Sequence, residues 1–172
     1  VTWNHLAGLV VGVAAYMLFA AGPRALASEG PALVLTLSWP RSLEDTLRTK
    51  VRLLFALVSL MVYACFAMLL WMFPRDWLGL LLVAAAWPLF GLAVSEKAVS
   101  LVQAPSQSGV VEAPPPSRVF LAGLGNLAFA IGVYNAQWNI AIVAIVLNWV
   151  FAGALWQVFR HRLAYLFDPD SE

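Results

Sequence analysis

Long apolar stretches separated by short polar or proline-containing segments run through the whole chain. Each stretch reaches or approaches the roughly 20 residues that an α-helix needs to cross the about 30 Å hydrocarbon core of a bilayer. The pattern predicts an all-α polytopic membrane protein, a single bundle of about five transmembrane helices over residues 1–172. The predicted spans are residues 3–22, 51–73, 77–97, 118–134 and 138–159.

Local signals predict where these helices begin and end. Gly22-Pro23 is expected to end the first helix, because proline cannot continue the backbone hydrogen bonding. Ser42 is expected to cap a second helix that continues to Phe73 and is too long for the bilayer. Its first turns are predicted to project into the cytoplasm as a charged docking surface formed by Glu44, Arg48 and Arg52.

Composition supports the choice of lipid as the solvent of this fold. Hydrophobic residues make up 62% of the chain and charged residues 11%, whereas a soluble domain has roughly 25% charged residues. The net charge of +1 argues against nucleic acid as a partner. The bilayer itself is the first expected partner, and other membrane protein subunits are the second.

The distribution of Lys and Arg predicts the orientation. With five spans, nine of the ten basic residues fall on one side and Arg75 alone falls on the other. Because basic residues concentrate in cytoplasmic connections, residues 23–50 and 98–117 are predicted to be cytoplasmic. The N-terminus is then outside and the C-terminus cytoplasmic. We expect a multi-pass protein of a bacterial inner (plasma) membrane.

Small residues at helical spacing predict close helix packing. Gly8 and Gly12 form a GxxxG segment that lets another backbone approach. In the last two helices, Asn126 and Asn148 are expected to hydrogen-bond to each other across an antiparallel hairpin centred near Gln137. The alanines on either side of each amide complete the two predicted stripes, Ala122 and Ala130 on one helix and Ala144 and Ala152 on the other.

Few residues are candidates for chemistry, and no catalytic motif is visible in the sequence. Glu96 and Lys97 form the one charged pair near a span on the cytoplasmic half, and Lys97 is expected to extend to the membrane surface at an ordinary helix end. A pigment or haem held by His5 together with a partner chain stays open. No cofactor is otherwise indicated, and an enzyme is not expected.

Two hypotheses of function remain at this level. The first is a non-enzymatic accessory or structural subunit of a larger membrane complex, because the spans carry packing motifs and no evident charge. The alternative is a small transporter component or small-molecule-binding bundle. In that case a cavity is expected behind the kink at Trp87-Pro88, lined by Tyr63, Asn126 and Asn148.

Overall fold

Five α-helices account for nearly all of the residues that the computed structural model describes, which are 2–27, 43–101 and 116–167. No strand occurs within these three ranges. The predicted all-α fold class is therefore confirmed. In chain order the helices are α1 (Trp3–Ala27), α2 (Leu43–Met72), α3 (Trp77–Ser100), α4 (Pro116–Tyr134) and α5 (Trp138–Phe167), with a 3-10 turn at Pro74–Asp76 between α2 and α3.

Four of the five helices are long and apolar enough to cross a membrane, which agrees with a multi-pass membrane protein. The fifth, α4, has an apolar part of fewer than 18 residues, Val119–Tyr134, so its crossing stays a prediction. The four long apolar stretches are Trp3–Ala20, Thr49–Met72, Pro74–Ser100 and Trp138–Val158.

The second helix is continuous, as its sequence predicted. It runs without a break from Leu43 to Met72, a length of 30 residues or about 45 Å. This exceeds the thickness of the hydrocarbon core. The proposed cap Ser42 lies outside the described residues, as do the side chains of Glu44 and Arg48.

The predicted end of the first helix was wrong. The helix passes through Gly22-Pro23 and ends at Ala27. Pro23 lies just beyond the apolar stretch, which ends at Ala20, and it removes a single backbone donor, which a helix can accommodate. Helix α5 is also longer than predicted and continues beyond Phe159 to Phe167.

The helices are arranged as a ring of four with α2 on the outside. Around the ring, α1 packs against α3 and α4, and α5 packs against the same two helices. Helices α3 and α4 therefore face each other diagonally and have few backbone contacts. Helix α2 packs on α1 and α3. The core of the molecule comprises the axis of this four-helix ring and the contact of α2 with α1 and α3.

Aromatic side chains fill one layer of that axis. The rings of Phe90 in α3 and Phe129 in α4 stack across the diagonal with their centroids 4.0 Å apart. Next to them, Trp87 is fully buried, and its indole N–H donates a 2.9 Å hydrogen bond to the hydroxyl of Ser59 in α2. This bond satisfies the polar atom of a buried tryptophan and attaches α2 to the ring.

A tight turn joins α4 to α5. Gln137 N–H donates to the carbonyl of Gly132, and Ala136 N–H donates to that of Val133, which is the hydrogen-bond pattern of a Schellman motif. Ala136 has a φ of 54°, in the left-handed region that glycine adopts most readily. The turn thus places a side chain at a backbone position where one is unfavourable.

Candidate polar site in the bundle axis

Lys97 lies inside the bundle, one turn before the end of α3. Its side chain is only 1% exposed, so the prediction that it extends to the membrane surface was wrong. Phe90 precedes it by seven residues and Val94 by three, and both are buried. Residues at these spacings share one helix face. Lys97 therefore lies on the buried, apolar face of α3, which is directed towards the axis of the bundle. Glu96 is exposed.

The ammonium group of Lys97 reaches diagonally across the axis to α4. It donates hydrogen bonds to the backbone carbonyl of Ala122, at 2.6 Å, and to the Oδ1 atom of Asn126, at 2.8 Å. The ring of Phe19 in α1 lies with its centroid 6.0 Å from the nitrogen. A lysine ammonium has three N–H donors. Two are used by these hydrogen bonds.

The partners of Lys97 in the described part of the chain are neutral. Asp76 and Glu96 are the acids whose side chains are described there; Asp76 is at the other end of α3 and Glu96 is exposed. A buried ion without a counter-ion costs several kcal/mol, and ionisable groups inside membrane bundles usually mark functional sites. Lys97 and Asn126 therefore form the candidate site.

Asn148 of α5 is a further buried polar residue of the bundle. It is 0% exposed, its Nδ2 donates to the carbonyl of Ala144 at 2.7 Å, and its Oδ1 has no hydrogen-bond partner. The predicted hydrogen bond between Asn126 and Asn148 is therefore wrong, because neither polar atom of Asn148 is bonded to Asn126. An unpaired acceptor in this setting costs about 1–3 kcal/mol.

Gly125 explains why the predicted pairing fails. A Cβ added at Gly125 would lie 3.1 Å from the Nδ2 of Asn148, and one added at Gly132 would lie 2.7 Å from the backbone nitrogen of Ala141. The contacts between α4 and α5 thus pair 125 with 148 and 132 with 141. This register is centred between Ala136 and Gln137, one residue away from the predicted one. The shift presents glycine, instead of Asn126, to α5.

The predicted packing glycines of α1 do lie at a close helix contact. A Cβ added at Gly8 would lie 2.7 Å from the Cβ of Tyr134, and one at Gly12 would lie 3.3 Å from that of Ala130. Ala130 therefore faces α1, although the sequence analysis assigned it to the contact with α5. The other predicted packing alanines are buried: Ala122, Ala144 and Ala152.

The residues that line the observed cavity differ from those predicted behind the kink at Trp87-Pro88. A cavity of about 220 Å³ lies between α3, α4 and α5, and its walls include Val83, Ala86, Phe129 and Trp138. These walls are apolar. Tyr63, Asn126 and Asn148 do not line it, and the Tyr63 hydroxyl instead donates to the carbonyl of Ala84 at 3.4 Å.

His5 contacts Thr2 in its own segment and Tyr134 in α4. Its Nδ1 atom lies 3.3 Å from the backbone nitrogen of Thr2, and its ring stands edge-on to Tyr134 with the centroids 4.4 Å apart. Among the described residues, no group of three His, Cys, Asp or Glu side chains is placed to hold a metal ion. A pigment or haem at His5 stays untested.

Comparison of the chain with protein-family models, curated proteins and solved structures finds no significant match. The candidate site must therefore be judged on its own geometry. The sequence singled out Lys97 as a candidate but predicted it at the membrane surface, because it lies near a helix end. The seven-residue spacing from Phe90 was the signal that placed it on the buried face.

Proposed function

We propose that this protein is a small-molecule-binding or transport bundle that accepts a compact anion at Lys97 and Asn126. The observation that carries the proposal is the buried ammonium group in the bundle axis, which has neutral partners among the described residues. An anionic group such as a carboxylate would supply a counter-charge, which no described side chain places beside Lys97. It would accept the third N–H of Lys97 in a charge-assisted hydrogen bond.

The arrangement of the helices supports a movement of α3 relative to α4 that is coupled to anion binding. Lys97 is almost fully buried among the described residues, and it lines neither a cleft of about 120 Å³ on the outside of the bundle nor the cavity of about 220 Å³. We infer that a solute reaches it when α3 and α4 separate. These two helices have few backbone contacts, and the bonds of Lys97 are direct links between them. An anion that competes for the ammonium weakens those links, and binding then favours an open state.

This proposal replaces the accessory subunit as the leading hypothesis. The subunit hypothesis rested on spans without charge, and Lys97 removes that premise. A partner subunit remains a prediction, and it is the outcome that the experiment below must distinguish. The further parts of the proposal are a non-enzymatic role, a bacterial inner membrane, and an orientation with the N-terminus outside.

The test is thermal unfolding of the purified protein in detergent, followed by tryptophan fluorescence, with a panel of sodium salts of small anions. A ligand present at 100 times its dissociation constant stabilises the folded state by about 2.7 kcal/mol. We expect at least one carboxylate to raise the unfolding temperature of the wild type. Lys97→Met should abolish the shift, and Arg75→Gln, which removes an exposed cation, should retain it.

Three outcomes would contradict the proposal. One is the absence of a shift with every anion, and another is an equal shift in Lys97→Met. The third is co-purification of a second membrane protein in stoichiometric amount without any anion effect, which would instead support the accessory subunit.

A further inference from the structure

A second polar feature lies on the outside of the bundle. A cleft of about 120 Å³ opens where α2 and α5 flank α3, and it brings Arg52 and Glu96 to the same small space. Both side chains are exposed. Its remaining walls are apolar or aromatic: Val51, Leu92, Val99 and Trp156.

The cleft is located at one end of the membrane-spanning segments. The apolar stretch of α2 begins at Thr49, that of α3 ends at Ser100, and that of α5 ends at Val158. Arg52 and Glu96 each lie within about one helical turn of these ends. This depth is the boundary between hydrocarbon and headgroups, where tryptophan side chains are also enriched.

The cleft is separate from the polar site in the axis. Glu96 and Lys97 are neighbours in sequence, but successive residues of a helix point about 100° apart. Lys97 is buried against α4, whereas Glu96 is exposed and lines the cleft on the other side of α3. The charge of Glu96 is therefore available to a ligand outside the bundle.

We propose that this cleft binds the headgroup of a phospholipid that carries a phosphate and a primary ammonium, as in phosphatidylethanolamine. The guanidinium of Arg52 donates to the phosphate oxygens, a geometry that arginine favours. The ammonium donates to the carboxylate of Glu96. Val51, Leu92 and Val99 then contact the start of the acyl chains. The inference is independent of the proposed function.

The charges of Arg52 and Glu96 together determine which lipid headgroup the cleft prefers. Phosphatidylcholine offers the same phosphate, but its quaternary ammonium has no N–H to donate to Glu96. Phosphatidylglycerol has no cation, and its net negative charge is repelled by Glu96. Both headgroups keep the attraction of their positive charge to Glu96, so the hydrogen bond that choline lacks makes the difference. Such a bond contributes about 1 kcal/mol, which corresponds to a preference of about fivefold for the ethanolamine headgroup.

The experiment measures which lipids stay bound. The protein is placed in vesicles made of equal parts phosphatidylethanolamine, phosphatidylcholine and phosphatidylglycerol, extracted in mild detergent, and its retained lipids are quantified by mass spectrometry. We expect about fivefold enrichment of phosphatidylethanolamine over phosphatidylcholine in the wild type. Glu96→Gln should abolish that preference, and Arg52→Gln should lower retention of both lipids. Arg75→Gln, at the opposite end of α3, should match the wild type.

Equal retention of the ethanolamine and choline lipids, enrichment of phosphatidylglycerol, or an unchanged preference in Glu96→Gln would each overturn the proposal. A second measurement needs no variant. Vesicles containing the mono- and dimethylated ethanolamine lipids should show retention by the wild type that falls stepwise as N–H groups are lost. Equal retention of the unmethylated, monomethylated and dimethylated lipids would overturn the inference even if the variants did not fold.

Discussion

Replacing Lys97 by methionine separates the contribution of this residue to stability from its contribution to function. Methionine has a similar length and can fill the same space against Phe19, and it carries no charge. The substitution removes two hydrogen bonds from a charged donor, each worth about 1.5–3 kcal/mol. It also removes the cost of burying the ammonium, which is several kcal/mol.

These two effects nearly cancel. The hydrogen bonds that remain after the substitution therefore decide whether the free energy of unfolding rises or falls. The carbonyl of Ala122 lies within α4 and keeps its helical hydrogen bond, so only the oxygen of Asn126 loses its partner. Replacement of a buried ion by a well-packed apolar side chain is commonly neutral or stabilising by 1–4 kcal/mol. We therefore expect Lys97→Met to be as stable as the wild type or more stable. Lys97→Ala leaves a void, so it should be less stable than Lys97→Met by roughly 2–5 kcal/mol.

The assay is unfolding in mixed micelles by titration with a denaturing detergent, with helical content and tryptophan fluorescence as the readouts. Lys97→Ala is the matched control, because it removes the same charge but also the packing of the aliphatic chain. A loss of more than about 2 kcal/mol in Lys97→Met would refute the reasoning. It would show that the two hydrogen bonds outweigh the cost of burial and that Lys97 is retained for stability.

Three further predictions follow from local geometry. Ala136→Gly should raise the free energy of unfolding by about 1 kcal/mol, because it removes a side chain from a left-handed backbone position; no gain would indicate that the turn relaxes in the membrane. Gly8→Ala should cost about 1–3 kcal/mol by overpacking against α4, whereas Gly153→Ala, where a Cβ meets nothing within 4 Å, should be neutral or stabilising in the same unfolding assay. For the orientation, Ser108→Cys should react with an impermeant thiol reagent only after cells are permeabilised, and Asp76→Cys should react in intact cells; the reverse pattern would invert the topology.

Much of the fold was predictable because lipid imposes simple rules on a sequence. A stretch of about 20 apolar residues is expected to be a helix, since only a helix satisfies its backbone within its own segment. The uninterrupted pattern that reaches Phe73 therefore predicted one long α2, and Pro74 predicted the turn after it. The glycines at 8 and 12 likewise predicted a close contact, although they did not identify α4 as the partner.

Helix ends and hairpin register were harder to predict because they depend on small differences in energy. Pro23 is a strong helix-ending signal, but it removes only one backbone donor, and the helix continues past it to Ala27. The register of α4 against α5 depends on the turn, where Ala136 adopts a left-handed conformation. A shift of one residue there moved Asn126 away from α5 and placed Gly125 against Asn148.

For the described residues, the sequence alone determined the type and approximate extent of the helices, because those depend on local hydrophobicity and on the requirement that each backbone be satisfied within its own segment. The direction of individual side chains around each helix was decided by the tertiary structure. Lys97 has the same sequence context as a surface lysine at a helix end. Its burial follows from the diagonal placement of α3 and α4, which brings the carbonyl of Ala122 and the amide of Asn126 within hydrogen-bond distance. Only packing among distant segments can create such a site.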